Sequence, residues 1–325
     1  MKILFTRHTD DIQKQDYLAD QVFSGLHSLG HEVTDTQRLW YLYRSEFQPW
    51  GGQTSLTEGR NNVLLYGCGF SYAATLDENP NVNRDPDVVR QRIRDHYYDL
   101  VIIGRPDHSG PYADLIFQEY GRSKIILLDG RDNNDVHPNW VENTTFFKRE
   151  LFQNIPGVHP ISFALTSSKV RTDLAEKTQP WGTVVPGRAN TYVFNVENDY
   201  YDDYARSLFA HTTRKSGWDC MRHYEILGNR CIPYFHDLEH APSELMKSLP
   251  RDLLIHARQR VDQQGAEYFM PGQPGWSEYC ELEQQIHSHF MANCTTEALA
   301  KYILECWLKY ANYEPTTSRD PPRPV

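Results

Sequence analysis

Short apolar runs alternate with longer segments of helical period in the first part of this chain. KILFT at 2–6, DLVIIG at 99–104 and KIILLDG at 124–130 are rich in Ile, Leu and Val, and segments of ten to fifteen residues with one apolar face lie between such runs. Strands separated by helices of this length form βαβ units, whose strands are parallel. The pattern predicts an α/β fold built on a parallel sheet.

The pattern restarts after residue 150. RSLFAH at 206–211 and RCIPYF at 230–235 predict strands, and WDCMRHYEILG at 218–228 predicts a helix between them. A chain of 325 residues exceeds a typical domain about twofold. We therefore predict two domains, residues 1–160 and 161–312, with a long amphipathic helix ending the second. The proline-rich residues 313–325 have almost nothing to bury and predict a disordered tail.

Charge and composition exclude several classes of protein. The formal net charge of −10 argues against general binding to polyanions. None of the six cysteines forms a Cys-x-x-Cys pair, which favours reduced, buried thiols and a cytoplasmic location. The start of the sequence has too few apolar residues for a signal peptide, and no run of eighteen apolar residues predicts a membrane span.

The segment TTRKSG at 212–217 joins a predicted strand to a predicted helix. Such a loop lies at the carboxyl edge of the sheet, where open α/β proteins bind ligands, and the helix after it directs free N–H groups at an anion. Arg214 and Lys215 add side-chain charge, and Gly217 allows close approach of the backbone. Residues 206–230 hold five Lys or Arg against two acids. These features predict a diphosphate site.

Arg222 and Glu225 stand three residues apart on the predicted helix, on one face. A carboxylate at this distance from the helix start can accept hydrogen bonds from two vicinal hydroxyl groups, as in a ribose. Together with the diphosphate site, this predicts a nucleoside diphosphate as ligand. The alternative is an ordinary surface ion pair beside a solvated loop.

The spacing of these residues resembles a known family. Arg222, Glu225 and then Cys231, Ile232 and Pro233 follow the donor-binding segment of GT-B glycosyltransferases, most closely exostosin-like ones, over about thirty residues. The chain departs from that pattern at Arg230, where a glycine is usual. A second, looser resemblance, to predicted bacterial and viral glycosyltransferase-like proteins, rests on LLDGRDNND at 127–135, FFKREL at 146–151 and HPISFAL at 159–165, and it assigns no roles.

The resemblance implies two facing Rossmann-like domains with a C-terminal helix that crosses back to the first. It implies transfer of a hexosyl or pentosyl group from a nucleoside-diphosphate sugar, with UDP the expected nucleotide, to a hydroxyl of a glycan or another acceptor. No cofactor or metal ion is expected. The donor-binding candidates are Arg188, Arg214, Lys215, Gly217, Trp218, Arg222 and Glu225.

A base for the acceptor hydroxyl is expected at the strand ends of the first domain. The candidates are His8, Asp10 and Asp129, with Asp107, His108 and Asp132 as further possibilities. Each has a structural alternative: His8 can hydrogen-bond a loop, and Asp10 with Gln13 matches a helix capping box. Arg188 fits a phosphate contact and a structural salt bridge equally well.

Two further motifs each have more than one interpretation. Asp85-Pro86-Asp87 can bind a metal–diphosphate, but it reads better as a helix cap with proline at the first helical position. YGCGFSYA at 66–73 lacks the third glycine of a dinucleotide fingerprint, which leaves a tight turn or a loop that closes on an acceptor. The alternatives to a glycosyltransferase are a nucleotide-sugar-binding protein without turnover and an enzyme acting on modified nucleic-acid bases, which the negative charge disfavours.

Overall fold

The first half of the chain forms a parallel sheet of six strands. The computed structural model describes residues 1–7, 16–37, 39–46, 70–71, 73–77, 82–105 and 112–311. In the described part, the strands lie in the order β2-β1-β3-β4-β5-β6. The elements are β1 (Lys2–Thr6), α1 (Tyr17–Ser28), β2 (Glu32–Asp35), α2 (Pro86–Arg94), β3 (Leu100–Ile103), α3 (Ala113–Glu119), β4 (Ile125–Asp129), α4 (Pro138–Asn143), β5 (Thr145–Lys148) and β6 (Val158–Pro160).

Burial on both faces explains why these strands read as continuous apolar runs. Along β1, Ile3 and Phe5 belong to one core and Leu4 to another. Helix ends follow the predicted chemistry: Asp85 caps α2 by accepting from the N–H groups of Asp87 and Val88, and Gly30 follows α1 with a φ of 77°. The cap interpretation of Asp85 is confirmed.

The second half forms a parallel sheet of three described strands in the order β7-β8-β9. The elements are β7 (Gln179–Trp181), α5 (Glu197–Arg206), β8 (Ser207–Thr212), α6 (Met221–Gly228), β9 (Ile232–Phe235), α7 (Arg251–Gln264), α8 (Trp276–Asn293) and α9 (Thr296–Ala311). The core on one face of the first sheet continues into this half, from Ile3 and Phe5 through Leu208 and Ile232 to Trp307.

The segment that carries Arg188 contains no strand. VVPGRAN at 184–190 is irregular, and the strand before it is β7. Gly187 in that segment adopts a φ of 81°, which breaks an extended run. The first sheet ends at Pro160 and the second begins at Gln179; the division into domains stays a prediction. The tail at 313–325 lies outside the described residues.

Helix α9 crosses back to the first half, as predicted. An added Cβ at Gly25 of α1 would lie inside contact distance of the carbonyl oxygen of Thr296. Tyr302 donates to the carbonyl oxygen of Pro160 at 2.7 Å, and the indole of Trp307 donates to that of Ser123. The α/β architecture with two parallel sheets and a crossing helix is therefore confirmed.

Arg230 stands where the donor-binding segment that this chain resembles usually has a glycine. Its φ is 57°, in the left-handed region that favours glycine. The guanidinium donates to both carboxylate oxygens of Glu283 in α8, at 2.8 and 2.7 Å, and to the carbonyl oxygen of Thr172 at 2.8 Å. A buried ion pair thus holds a strained residue in place.

The five described cysteines are free thiols; Cys231 and Cys294 are buried and the other three half-buried. None of the helices in the described ranges combines the length and apolar composition needed to span a bilayer.

Candidate functional site

A cleft of about 930 Å³ lies between the two halves; we call it the central cleft. Its volume falls in the range of small-molecule sites. The second half contributes Tyr192, Phe194, Tyr200, Lys215, Gly217, Arg222 and Glu225 to its lining, and the first half contributes Asp16, Arg105, Arg131, Asp132 and Arg149. Four of the seven predicted donor-binding residues are among these.

Glu225 presents a carboxylate that already binds two hydroxyl groups. Ser71 donates to Oε1, and Tyr200 donates to Oε2 at 2.6 Å. Burial raises the pKa of Tyr200 well above its ordinary value, and the neighbouring charge of Glu225 adds to the shift, so the phenol keeps its proton. On this side of the cleft, each carboxylate oxygen of Glu225 therefore accepts a hydrogen bond from one hydroxyl group of the protein.

Sequence reasoning missed both hydroxyl partners. Ser71 belongs to the segment at 66–73, most of which lies outside the described residues, and Tyr200 lies on α5. Because they are 154 and 25 residues away from Glu225 along the chain, no local spacing connects them. Only the fold brings them together.

Arg222 and Glu225 do not form the surface ion pair that was the alternative interpretation. The half-buried Arg222 instead donates to the hydroxyl of Tyr192 at 3.0 Å, with its guanidinium 5.4 Å from the centre of that ring. Lys215 is exposed at the rim of the cleft. Among the described residues neither Arg222 nor Lys215 contacts a carboxylate, so both charges are open to an anionic ligand.

Glu150 from the first half holds the loop in front of α6. The N–H groups of Trp218 and Asp219 donate to its carboxylate oxygens, both at 3.1 Å. The helix consequently begins at Met221 and not at the predicted Trp218. An added Cβ at Gly217 would lie 2.6 Å from Glu150 Oε1, so this glycine admits a carboxylate of the protein itself.

His223 fixes the other side of the same loop. Its Nε2 lies 2.9 Å from the carbonyl oxygen of Trp218, to which it donates, and its Nδ1 lies 2.9 Å from the hydroxyl of Thr212. Burial, with Arg222 and Arg149 nearby, lowers the pKa of His223 to about 4, so the ring is neutral. The segment that carries Arg214 and Lys215 is thus tied to both β8 and α6.

Two of the three motifs of the looser resemblance, LLDGRDNND and FFKREL, meet in one buried network. Lys148 donates to Asp129 at 3.0 Å, and Arg149 donates to Asp132 and, at 2.7 Å, to Glu150. Asp129 is fully buried and also binds Arg131 through both oxygens. The network positions Glu150 beneath the loop.

This placement argues against the predicted role of Asp129 as a base, because its carboxylate has no access to the cleft. Arg188 is exposed outside the lining and makes no ion pair with a described residue, so neither interpretation of it is supported. Arg214 is exposed and stands over the ring of the buried Trp218 at 5.2 Å; neither residue lines the cleft. His8 and Asp10 lie outside the described residues.

Within the described ranges, no group of three His, Cys, Asp or Glu side chains is arranged to hold a metal ion. The expectation that no metal ion is required is an expectation about the reaction, and it stays a prediction.

No family model and no curated protein matches this chain. Solved structures similar to it include an alpha-glucosyltransferase in complex with UDP and a 13-mer DNA containing a central A:G mismatch, 9% identical over 95% of this chain and 100% of that chain, with a TM-score of 0.49. AviGT4, a glycosyltransferase involved in avilamycin A biosynthesis, is 10% identical over 96% of this chain and 98% of its own, with a TM-score of 0.47. This chain is similar to each of them in the overall course of its backbone.

Proposed function

We propose that this protein is a glycosyltransferase that takes a hexosyl or pentosyl group from a nucleoside-diphosphate sugar, with UDP as the expected nucleotide. The donor occupies the central cleft, and the acceptor is a hydroxyl group. The observation that carries the proposal is Glu225, whose two carboxylate oxygens each accept a hydrogen bond from a hydroxyl group. The same cleft presents the positive charges of Arg222 and Lys215.

The ribose is placed on Glu225. A vicinal diol brings two O–H donors about as far apart as the two oxygens of a carboxylate, and hydrogen bonds to a charged acceptor are stronger than neutral ones. A carboxylate has about four acceptor positions, so the diol joins or displaces the hydroxyls of Ser71 and Tyr200.

The diphosphate is placed between Arg222 and Lys215. Arg222 lies one helical turn before Glu225, and Lys215 lies in the loop that precedes the helix. A negative diphosphate neutralises both charges, and these charges interact more strongly as the diphosphate leaves. Arg222 is the stronger candidate because its planar fork can bind two phosphate oxygens and its position is fixed by Tyr192.

The nucleobase is placed on the aromatic side of the cleft. Phe70 and Phe194 lie with ring centres 5.7 and 6.0 Å from that of Tyr200, which binds Glu225. Flat apolar side chains next to a ribose site suit the face of a base.

Calorimetric titration of UDP tests this proposal. Glu225→Ala is expected to weaken binding at least about tenfold, because each hydrogen bond to a charged acceptor contributes about 1.5–3 kcal/mol before water compensates. Asp202→Ala is a matched control, since Asp202 pairs with Arg171 outside the cleft lining and should bind UDP like the wild type. Equal affinity of the Glu225→Ala variant would remove the ribose role.

The same titration in EDTA tests metal independence. Arg222 and Lys215 supply the positive charge that a divalent ion otherwise supplies to a diphosphate, so the affinity for UDP should not change. Binding that is lost in EDTA and restored by manganese would show that a metal ion is required.

A further inference from the structure

Asp16 is a buried carboxylate that opens onto the central cleft. It lies at the start of α1, where its Oδ1 accepts from the N–H of Ala19 at 3.1 Å. The residue is 7% exposed and contributes to the lining of the cleft. Its second oxygen accepts no hydrogen bond from any described residue. Capping of α1 uses one carboxylate oxygen of Asp16, so the other oxygen is not needed for the cap.

The other carboxylates of the cleft are already engaged. Glu225 binds two hydroxyl groups, and Asp132 is paired with Arg149. Asp219 accepts from a backbone N–H through one oxygen at 2.7 Å and from a tyrosine hydroxyl through the other at 2.9 Å. Among the described residues that line the cleft, Asp16 is therefore the buried carboxylate with an oxygen that accepts no hydrogen bond from a described residue.

Three arginines from the first half act on the charge of Asp16. Arg7 follows β1, Arg105 follows β3 and Arg149 follows β5; these three lower the pKa of Asp16, whereas burial, the larger effect, raises it. Asp20, one turn along α1, adds negative charge but is itself paired with Arg7. The net effect is a pKa above the ordinary value, which makes this carboxylate a stronger base than an exposed aspartate.

Asp16 also lies close to the predicted diphosphate site. Gln21, on the same helix, contacts the sulfur of Met221 at 2.7 Å, and Met221 directly precedes Arg222. Gly130 lies against the carboxylate on the other side: an added Cβ there would lie 2.6 Å from Asp16 Oδ1. Gly130, in the segment LLDGRDNND at 127–135, thus leaves room for this side chain.

We propose that Asp16 is the base that takes the proton from the acceptor hydroxyl, an inference that rests on the proposed glycosyltransferase function. The acceptor oxygen forms a bond to the anomeric carbon as its O–H proton passes to the carboxylate of Asp16. The bond between that carbon and the diphosphate oxygen breaks, and its electron pair leaves with the nucleoside diphosphate. Asp16 then returns the proton to water. Such a direct displacement inverts the configuration of the anomeric carbon.

Asp16→Asn is the test, because asparagine keeps the oxygen that caps α1 but cannot take up the proton. Asp85→Asn is the matched control: it makes the same change at the cap of α2, where Asp85 binds only backbone N–H groups. Release of UDP is measured from UDP-glucose, UDP-galactose and UDP-N-acetylglucosamine, with water and with methyl glucosides as acceptors. UDP affinity and the melting temperature are measured for each variant.

We expect Asp16→Asn to lower the rate of UDP release by about 10² or more, with UDP affinity and melting temperature within the range of the control. In the wild type the rate should fall as the pH is lowered and Asp16 is protonated; the residual rate of the variant should lack this dependence. The product anomer should be inverted.

A variant that binds UDP and turns over like the wild type overturns the role of Asp16 and leaves the proposed function standing. Retention of configuration in the product overturns it as well. A wild-type protein that neither binds UDP nor releases it from any of the donors overturns both proposals.

Discussion

Glu225 shows how far single residues could be predicted from the sequence. Its spacing to Arg222 indicated a ligand site, and both residues do line one cleft. The hydroxyl partners Ser71 and Tyr200 and the buried Glu150 were not predictable, because each reaches its partner through the fold and no local pattern marks it. Glu150 lies in a motif that the sequence singled out without a role.

At the same scale, His223 predicts a pH dependence of stability. Burial lowers its pKa to about 4, below the ordinary value of 6.5. Below pH 6.5 the unfolded chain therefore takes up a proton that the folded protein does not, so stability falls as the pH falls towards 4, by about 1.4 kcal/mol per unit. Denaturant unfolding at pH 7 and pH 5 should show a loss about 2 kcal/mol larger in the wild type than in His223→Gln.

Two buried carboxyls act in the opposite direction in that window. Burial raises the pKa values of Asp20 and Asp219 to about 6, so each favours the folded state as the pH falls. Both groups are present in wild type and variant, and the comparison cancels them. An equal pH dependence of the two proteins would show that the pKa of His223 is the same in the folded and unfolded states.

Among the elements, the strands of the first sheet were the most predictable, because strands buried on both faces read as unbroken apolar runs. The segment at 184–190 was not, since Val184 and Val185 favour a strand while Pro186 and Gly187 interrupt it. The start of α6 was displaced by three residues because the N–H groups before it bind Glu150, a partner from the other half. A tertiary contact decided the second case, and local residues decided the first.

The turn between α6 and β9 gives a prediction at this scale. Arg230→Gly removes the cost of a left-handed backbone conformation, which is about 1–2 kcal/mol for an L residue and absent for glycine. It also leaves Glu283 buried without its partner, which costs about 3–5 kcal/mol. The variant should therefore be less stable by about 2 kcal/mol in denaturant unfolding.

The double variant Arg230→Gly with Glu283→Gln separates the two effects. Removing the charge of Glu283 should recover part of the lost stability, because an amide is less costly to bury than an unpaired carboxylate. A single variant as stable as the wild type would mean that the ion pair contributes nothing beyond offsetting the backbone strain.

For the whole molecule, the resemblance to GT-B glycosyltransferases implied the crossing helix, and the amphipathic pattern of the last helix fits it. The contact between the halves beneath the cleft was not predictable. That contact depends on Arg149 and Glu150, which are fully buried. Arg149 donates to the carbonyl oxygen of Asp219 at 2.6 Å, and Glu150 accepts from two N–H groups of the same loop. The two halves therefore share a polar core as well as an apolar one.

Glu150→Gln should lower the free energy of unfolding of the whole chain by about 3 kcal/mol, because it breaks a buried ion pair. Asp132→Asn is the control, because it removes the other carboxylate bound to Arg149. The side chain of Asp132 is 50% exposed, so its loss should cost less than about 1 kcal/mol. Urea unfolding measures both. Similar losses in the two variants would show that burial at Glu150 has no special importance.

The contact through Glu150 bears on how such a protein can be recombined. A chimaera that keeps residues 1–160 and takes its second half from another protein gains a working cleft only if the graft offers two N–H groups to this carboxylate and a carbonyl to Arg149. Without them, the buried ion pair of Arg149 and Glu150 loses the hydrogen bonds that the second half supplies to it. The halves are therefore a matched pair, and new ligand specificity is better introduced by changing Tyr192 or Phe194 within the cleft than by exchanging one half.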